Sequence, residues 1–195
     1  MSRLFLHFLI YSFLGYCLEK LFARAVHSDR QVRKCFLLLP LCPVYGLAMT
    51  AVTALSPRFE SLLSLVLAGG ILCTTAEYLV HSFYETAFHV RFWDYSGLPG
   101  SVKGRICPQF SLIWGILSAA AVRLIHPIIA ALSKTVSPST VFFLWMLFAI
   151  DCVLSAFLLR QTHDTEQLAL TSLFLSNGSP ASPERHGRRT DGSSH

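Results

Sequence analysis

Four ionisable residues fall inside long apolar runs of this chain: Glu19, Glu77, Arg123 and Asp151. Charge is expensive in such a setting, so these side chains are expected to face one another, other helices or water. Arg123 lies 13 residues before Val136 and Asp151 lies 15 after it, on consecutive apolar runs. At about 1.5 Å rise per residue both reach a similar depth, and an ion pair would account for both charges. A proton or substrate relay, or an Arg123 that snorkels outward alone, are the other readings. Glu77 has hydrogen-bonding neighbours in Thr74, Thr75 and Tyr78, which suits a side chain facing the inside of a bundle. Glu77, His81, Glu85 and His89 recur every four residues and would share one slowly drifting helix face. Carboxylate and imidazole at that spacing can hold a divalent metal or pass protons. The drift of about 40° per step lets at most three converge, and a solvated face is the plainer reading, so no metal site is expected. Glu19 sits beside Lys20, with Arg24 close by, and reads either as an interfacial charge or as one turned into the bundle. The six cysteines are scattered with no C-x-x-C pair. They read as small apolar packing residues rather than as a disulfide framework or zinc site.

The elements that carry these residues follow from composition. Of 195 residues, 53% are hydrophobic and only 14% charged, with mean hydropathy +0.52. A soluble domain carries roughly 25% charged residues, so a soluble globular enzyme is nearly excluded. Five runs approach the roughly 20 residues that span a bilayer: 4–23, 35–55, 62–83, 108–132 and 140–159. The third is expected to continue as helix toward His89. In the second, Pro40 and Pro43 remove two backbone donors and Gly46 follows, which predicts a broken or kinked helix in its inner half. Such breaks often border a binding site in transporters.

The expected fold is therefore all-α and polytopic: a membrane domain over 1–160 and a disordered tail over 161–195, rich in Ser, Gly, Pro and charge. Lys20, Arg24, Arg30, Arg33, Lys34, Arg91, Lys103, Arg105, Arg160, Arg185, Arg188 and Arg189 all fall on one side of a five-span arrangement. Most of the 16 basic residues thus mark one face, which places the N-terminus outside and the C-terminus in the cytoplasm. The net charge of +5 is then an orientation signal, and nucleic acid is not an expected partner. The sequon at Asn177 would be a chance match in a cytoplasmic tail.

The longest internal connection carries Arg91-Phe92-Trp93-Asp94-Tyr95-Ser96, then Gly104-Arg105-Ile106-Cys107, then Phe110-Ser111-Leu112-Ile113-Trp114-Gly115. With Tyr11-Ser12-Phe13-Leu14-Gly15 and Glu19, Cys42-Pro43-Val44-Tyr45-Gly46, and Glu77-Tyr78, this set resembles the CmpB-like family of small bacterial membrane proteins described as putative ABC-transporter type IV. The resemblance covers roughly 8–115. It departs from the family pattern at Tyr16, Leu39 and Pro108, and the tail has no part in it. It implies a permease-type component of a transporter, of unknown substrate, in the cell membrane. The chain carries no Walker motif, so ATP hydrolysis would fall to a separate cytoplasmic ATPase. The competing expectation is a membrane scaffold or regulatory subunit whose inner loop binds a partner. With no nucleophile-base pairing or metal motif, neither an enzyme nor a cofactor is expected. In this topology Glu19, Tyr45, Glu77, Asp94 and Arg105 lie near the inner face. The long loop is expected to fold back there, Arg105 or Arg91 answering Glu19 or Glu77, with its aromatics anchored among headgroups.

Overall fold

The computed structural model describes residues 2–25 and 35–162. Within them the chain is all-helical, apart from one isolated bridge between Val102 and Ile106. The elements are α1 (Ser2–Ala25), α2 (Pro43–Leu55), a 3-10 turn (Ser56–Arg58), α3 (Leu62–Phe88), α4 (Pro108–Ala120), a π turn (Ala121–Ile125), α5 (His126–Leu132) and α6 (Pro138–Thr162). Four helical stretches are long and apolar enough to cross a bilayer: Arg3–Ala25, Leu62–Phe88, Pro108–Leu132 and Pro138–Gln161. The protein is a multi-pass membrane protein. The expected tail and most of the first basic loop lie outside the described residues.

Proline sets the helix starts. Pro43 and Pro108 stand in the first turns of α2 and α4, where a missing N–H is no loss. Pro138 opens α6, and the Ser137 hydroxyl caps it by accepting from the Thr140 N–H at 3.2 Å. Pro127 lies inside the fourth crossing instead, and its ring crowds the carbonyl four residues back, that of Arg123. The helix relieves this by widening into the π turn Ala121–Ile125.

The expected second span, 35–55, is helical only from Pro43 onward. At about 1.5 Å per residue, α2 rises roughly 20 Å, too little to cross alone. It runs antiparallel to α1, Tyr45 meeting Glu19 and Met49 packing with Tyr11. The rest of this passage is the irregular segment 35–42, folded back on itself and closed by a disulfide between Cys35 and Cys42, whose Cα atoms are 4.9 Å apart. This corrects the reading of these two cysteines as packing residues. The prolines break the helix, and the reversal brings together thiols that are seven positions apart.

Irregular backbone at membrane depth survives only where protein satisfies it. Here α6 does so. The Asp151 carboxylate accepts from the Leu38 N–H at 3.1 Å and from the Leu39 N–H at 3.2 Å, and the Ser155 hydroxyl accepts from Leu38 at 3.0 Å. Phe36 and Leu37 pack with Tyr84, Phe88, Val90, Phe92, Trp93 and Leu159, a core that joins this segment to the ends of α3 and α6. On the far side of α3, Gly115 lets α4 come close: a Cβ there would stand 2.5 Å from the Val66 carbonyl oxygen.

Candidate functional site

The site begins with two glycines. Gly15 and Gly46 let α1 and α2 approach closely: a Cβ on Gly15 would collide with the Tyr45 ring, and one on Gly46 would lie 2.6 Å from the Phe8 carbonyl. The Cys42 N–H donates to the Ser12 carbonyl at 2.9 Å and pins the start of α2 to mid-α1. About two turns further along α1, the Tyr45 hydroxyl donates to Glu19 Oε1 at 2.6 Å.

The opposite wall is α3, α4 and the loop 89–107. His89 ends α3 in a left-handed conformation, φ 57°, and turns the chain back. The loop holds its shape through its own backbone: Trp93 Nε1 donates to the Arg105 carbonyl at 3.0 Å and the Tyr95 N–H to Gly104 at 2.8 Å. Gly104 has φ 70°, and a Cβ there would meet Asp94 Oδ1 at 2.5 Å, so glycine is required twice over. The folded loop drives Tyr95 inward, stacked on Phe110 at 4.9 Å between ring centroids. Its hydroxyl donates to Glu77 Oε1 at 2.7 Å, and Trp114 Nε1 donates to Glu77 Oε2 at 3.2 Å. Glu77 is buried, with 7% of its surface exposed. Burial pushes the Tyr95 phenol well above its usual range, and the carboxylates of Glu77 and Glu19 push it further, so it remains a donor.

These groups line a cavity of about 370 Å³ enclosed by α1, α2, α3, α4 and the loop. Glu19, Tyr45, Glu77, Trp93, Tyr95 and Trp114 line it, and Cys17, Cys73 and Ser118 add small polar groups. Its rim carries Leu14 and Leu21 of α1 and Leu117 and Ile125 of the fourth crossing, all exposed. The cavity therefore opens sideways between those two helices. No Lys, Arg or His is among the described residues that line it.

Of the five residues expected to cluster, the structure brings Glu19, Tyr45 and Glu77 to the cavity and leaves Asp94 and Arg105 outside it. Arg105 answers neither Glu19 nor Glu77. Its guanidinium binds Glu85 Oε2 at 2.8 Å, the Tyr78 hydroxyl at 3.1 Å and the Ser82 hydroxyl at 2.8 Å. Arg91 meets Glu85 as well. The reason is reach: Glu85 lies two turns nearer the loop than Glu77 on the same face of α3. Asp94 turns outward and caps its own loop, accepting from the Ser96 N–H at 2.8 Å and hydroxyl at 2.6 Å. Those bonds hold its carboxyl below the usual carboxylate range.

The Arg123–Asp151 pair is not formed. Arg123 is exposed and reaches the Glu60 carbonyl at 3.4 Å, while Asp151 is buried against the segment 35–42. Equal depth does not imply a shared azimuth. The fourth crossing packs chiefly on α3, whereas α6 packs on α1 and α3. Of the four-residue row the loop covers Glu77 and His81 and partly covers Glu85, while His89 stays exposed: Glu77 takes Tyr95, Glu85 takes the arginines, and His81 Nε2 lies 3.1 Å from the Trp93 carbonyl.

Sequence reasoning missed Tyr95, Trp93 and Trp114 as cavity residues, having set the loop aromatics among headgroups. Trp93 is 9% exposed and packs edge-on against His81. The available signal was the alternation of aromatic and polar residues in Trp93-Asp94-Tyr95-Ser96, which lets the aromatic side of an extended stretch face the bundle. In comparisons with known proteins, a family model described as Putative ABC-transporter type IV matches residues 6–156. No curated protein and no solved structure matches the chain.

Proposed function

The chain belongs to the Putative ABC-transporter type IV family, and from that premise we propose that it is a permease-type component whose solute sits in the cavity between α1, α2, α3 and α4. The observation that carries this reading is the pair of carboxylates, Glu19 and Glu77, turned into a cavity inside an apolar bundle. Intramembrane charge facing a cavity is the usual mark of a solute or ion path. The broken second passage supports it. Its irregular half is tied to α6 by the Asp151 carboxylate and the Ser155 hydroxyl and to α1 by the Cys42 N–H on the Ser12 carbonyl, in place of a continuous ladder of helical bonds. Broken helices of this kind border solute sites in transporters.

The energy source in this reading is a separate ATPase on the cytoplasmic side. Its docking surface is the exposed loop tip, where Leu98, Val102 and Lys103 face outward below the ion-paired base. The distribution of Lys and Arg supports this inner assignment and a location in the cell membrane, with the N-terminus outside. The test is to isolate the full chain from its native membrane in mild detergent. The expected result is co-isolation of an ATPase subunit whose ATP hydrolysis changes when the chain carries Glu77→Gln. A chain recovered without an ATPase, in cells whose uptake survives ATP depletion, contradicts it and favours a scaffold or regulatory subunit.

A further inference from the structure

We propose that the cavity takes one hydrocarbon chain of a glycerophospholipid from the surrounding bilayer, admitted through the side opening between α1 and the fourth crossing. Naming lipid as the solute in this way rests on reading the cavity as the solute site. The opening is a window closed at both ends. At one end Phe22 of α1 meets Phe110 of α4 edge to face, with 6.4 Å between ring centroids. At the other the Tyr11 hydroxyl and His126 Nδ1 lie 3.2 Å apart, and His7 Nε2 lies 3.1 Å from the Ser133 hydroxyl. From Tyr11 to Phe22 α1 rises about 16 Å, roughly half of a hydrocarbon core about 30 Å thick. The exposed cavity-lining side chains along the window are Leu14, Leu21, Leu117 and Ile125. All four belong to helices long and apolar enough to cross a bilayer, so what adjoins the window is lipid chain rather than water.

Behind the window one half of the cavity is aliphatic, lined by Leu14, Leu18, Met49, Leu117, Ala121 and Ile125. These side chains offer water no hydrogen bonds. A gap left empty there forfeits dispersion contacts on every wall. A chain from the bilayer fills it at little cost, because lipid tails are as apolar as leucine. The volume of about 370 Å³ holds roughly a dozen groups of ~30 Å³ each, which is one chain and not a whole two-chain lipid. The other half carries the Tyr45–Glu19 bond and the Tyr95 and Trp114 bonds to Glu77. A few polar groups in an apolar pocket fix the orientation of what it binds. In the orientation proposed above, this polar end is the inner one. The cavity then has the polarity of a lipid in the inner leaflet, with the head toward Glu19 and the chain toward Met49. A polyhydroxylated solute would leave its hydroxyls unpaired along the aliphatic wall.

The test places the full chain in vesicles of phosphatidylcholine that carries a photoactivatable diazirine midway along one chain. Peptide mass spectrometry then locates the cross-links. Val153 is exposed on α6 and reports contact with bulk lipid, whereas Met49 is buried and lines the cavity. The expected result is labelling at both. Leu14→Phe together with Leu117→Phe, at exposed positions on the two sides of the window, should lower labelling of Met49 severalfold and leave Val153 unchanged. Labelling at Val153 with none at Met49 overturns the proposal, as does labelling of Met49 that the double variant does not reduce. If the double variant does not fold, the parent chain still decides. Met49 marked by the phosphatidylcholine supports the proposal, and Met49 marked only by a diazirine fatty acid, a free single-chain amphiphile, overturns it. A chain labelled at Met49 that carries no phosphatidylcholine between leaflets supports the lipid site and counts against the transport reading alone. An unlabelled Met49 beside ATP-driven uptake of a water-soluble solute overturns the lipid site and leaves the permease reading standing.

Discussion

Glu77 and Asp151 are both buried carboxylates, and each is held by a different kind of donor. Glu77 takes a phenol and an indole from two other elements, and Asp151 takes main-chain N–H groups. Removing one partner of a buried hydrogen bond leaves the other unsatisfied, at a cost of about 1–3 kcal/mol. Glu77→Leu is therefore expected to destabilise the folded protein by roughly that amount for each of the Tyr95 and Trp114 donors it leaves, and Tyr95→Phe by about 1–3 kcal/mol, read from thermal unfolding in detergent. Equal melting of Glu77→Leu and the parent chain would contradict the geometry. Glu19 and Glu77 were legible in the sequence as charges that the bundle must explain. Their donors were not: nothing in the spacing of Tyr95 or Trp114 says that a 19-residue return between α3 and α4 brings them to one carboxylate.

At the scale of elements, the segment 35–42 depends on Asp151 and is indifferent to Arg123. Asp151→Ala removes the carboxylate that accepts from the Leu38 and Leu39 N–H groups and should lower stability by about 1–3 kcal/mol. Arg123→Ala, at an exposed position outside that network, should change it by less than about 0.5 kcal/mol. Unfolding midpoints of the two variants side by side check this, and equal losses would restore the ion pair that depth alone suggested. The loop 89–107 is riveted by Arg105 to Glu85, Tyr78 and Ser82. Arg105→Ala should free its base and make the loop the first site of proteolysis, while Arg123→Ala leaves it protected. The break at Pro40 and Pro43 was legible, because a missing N–H is a local fact. The disulfide and the Asp151 contact were not, because they depend on which helices become neighbours. Rise per residue fixes height along a helix and says nothing of direction around it.

For the whole molecule, the four long apolar helices follow from run length, and the antiparallel course of α2 along α1 supplies a further passage. If that passage counts as a crossing, a reporter fused after Thr162 should report the cytoplasm and one fused before Ser2 the outside. Reporters that both report the cytoplasm would mean an even number of crossings and would move the cavity's acidic end to the other face. The claim on which the rest depends is that the space between α1, α2, α3 and α4 is an accessible, acidic chamber. Cys73 lines it, and replacing the remaining free thiols Cys17, Cys107 and Cys152 with alanine leaves it as a single reporter beside the Cys35–Cys42 disulfide. The most direct measurement is the rate at which Cys73 in the folded chain reacts with a cationic ethylammonium thiosulfonate and with its anionic ethylsulfonate counterpart. The account predicts reaction with both, faster with the cation, and a ratio that falls toward one in Glu77→Gln. A Cys73 that stays inert to both reagents until the protein unfolds, or that reacts at equal rates with the two, would contradict it.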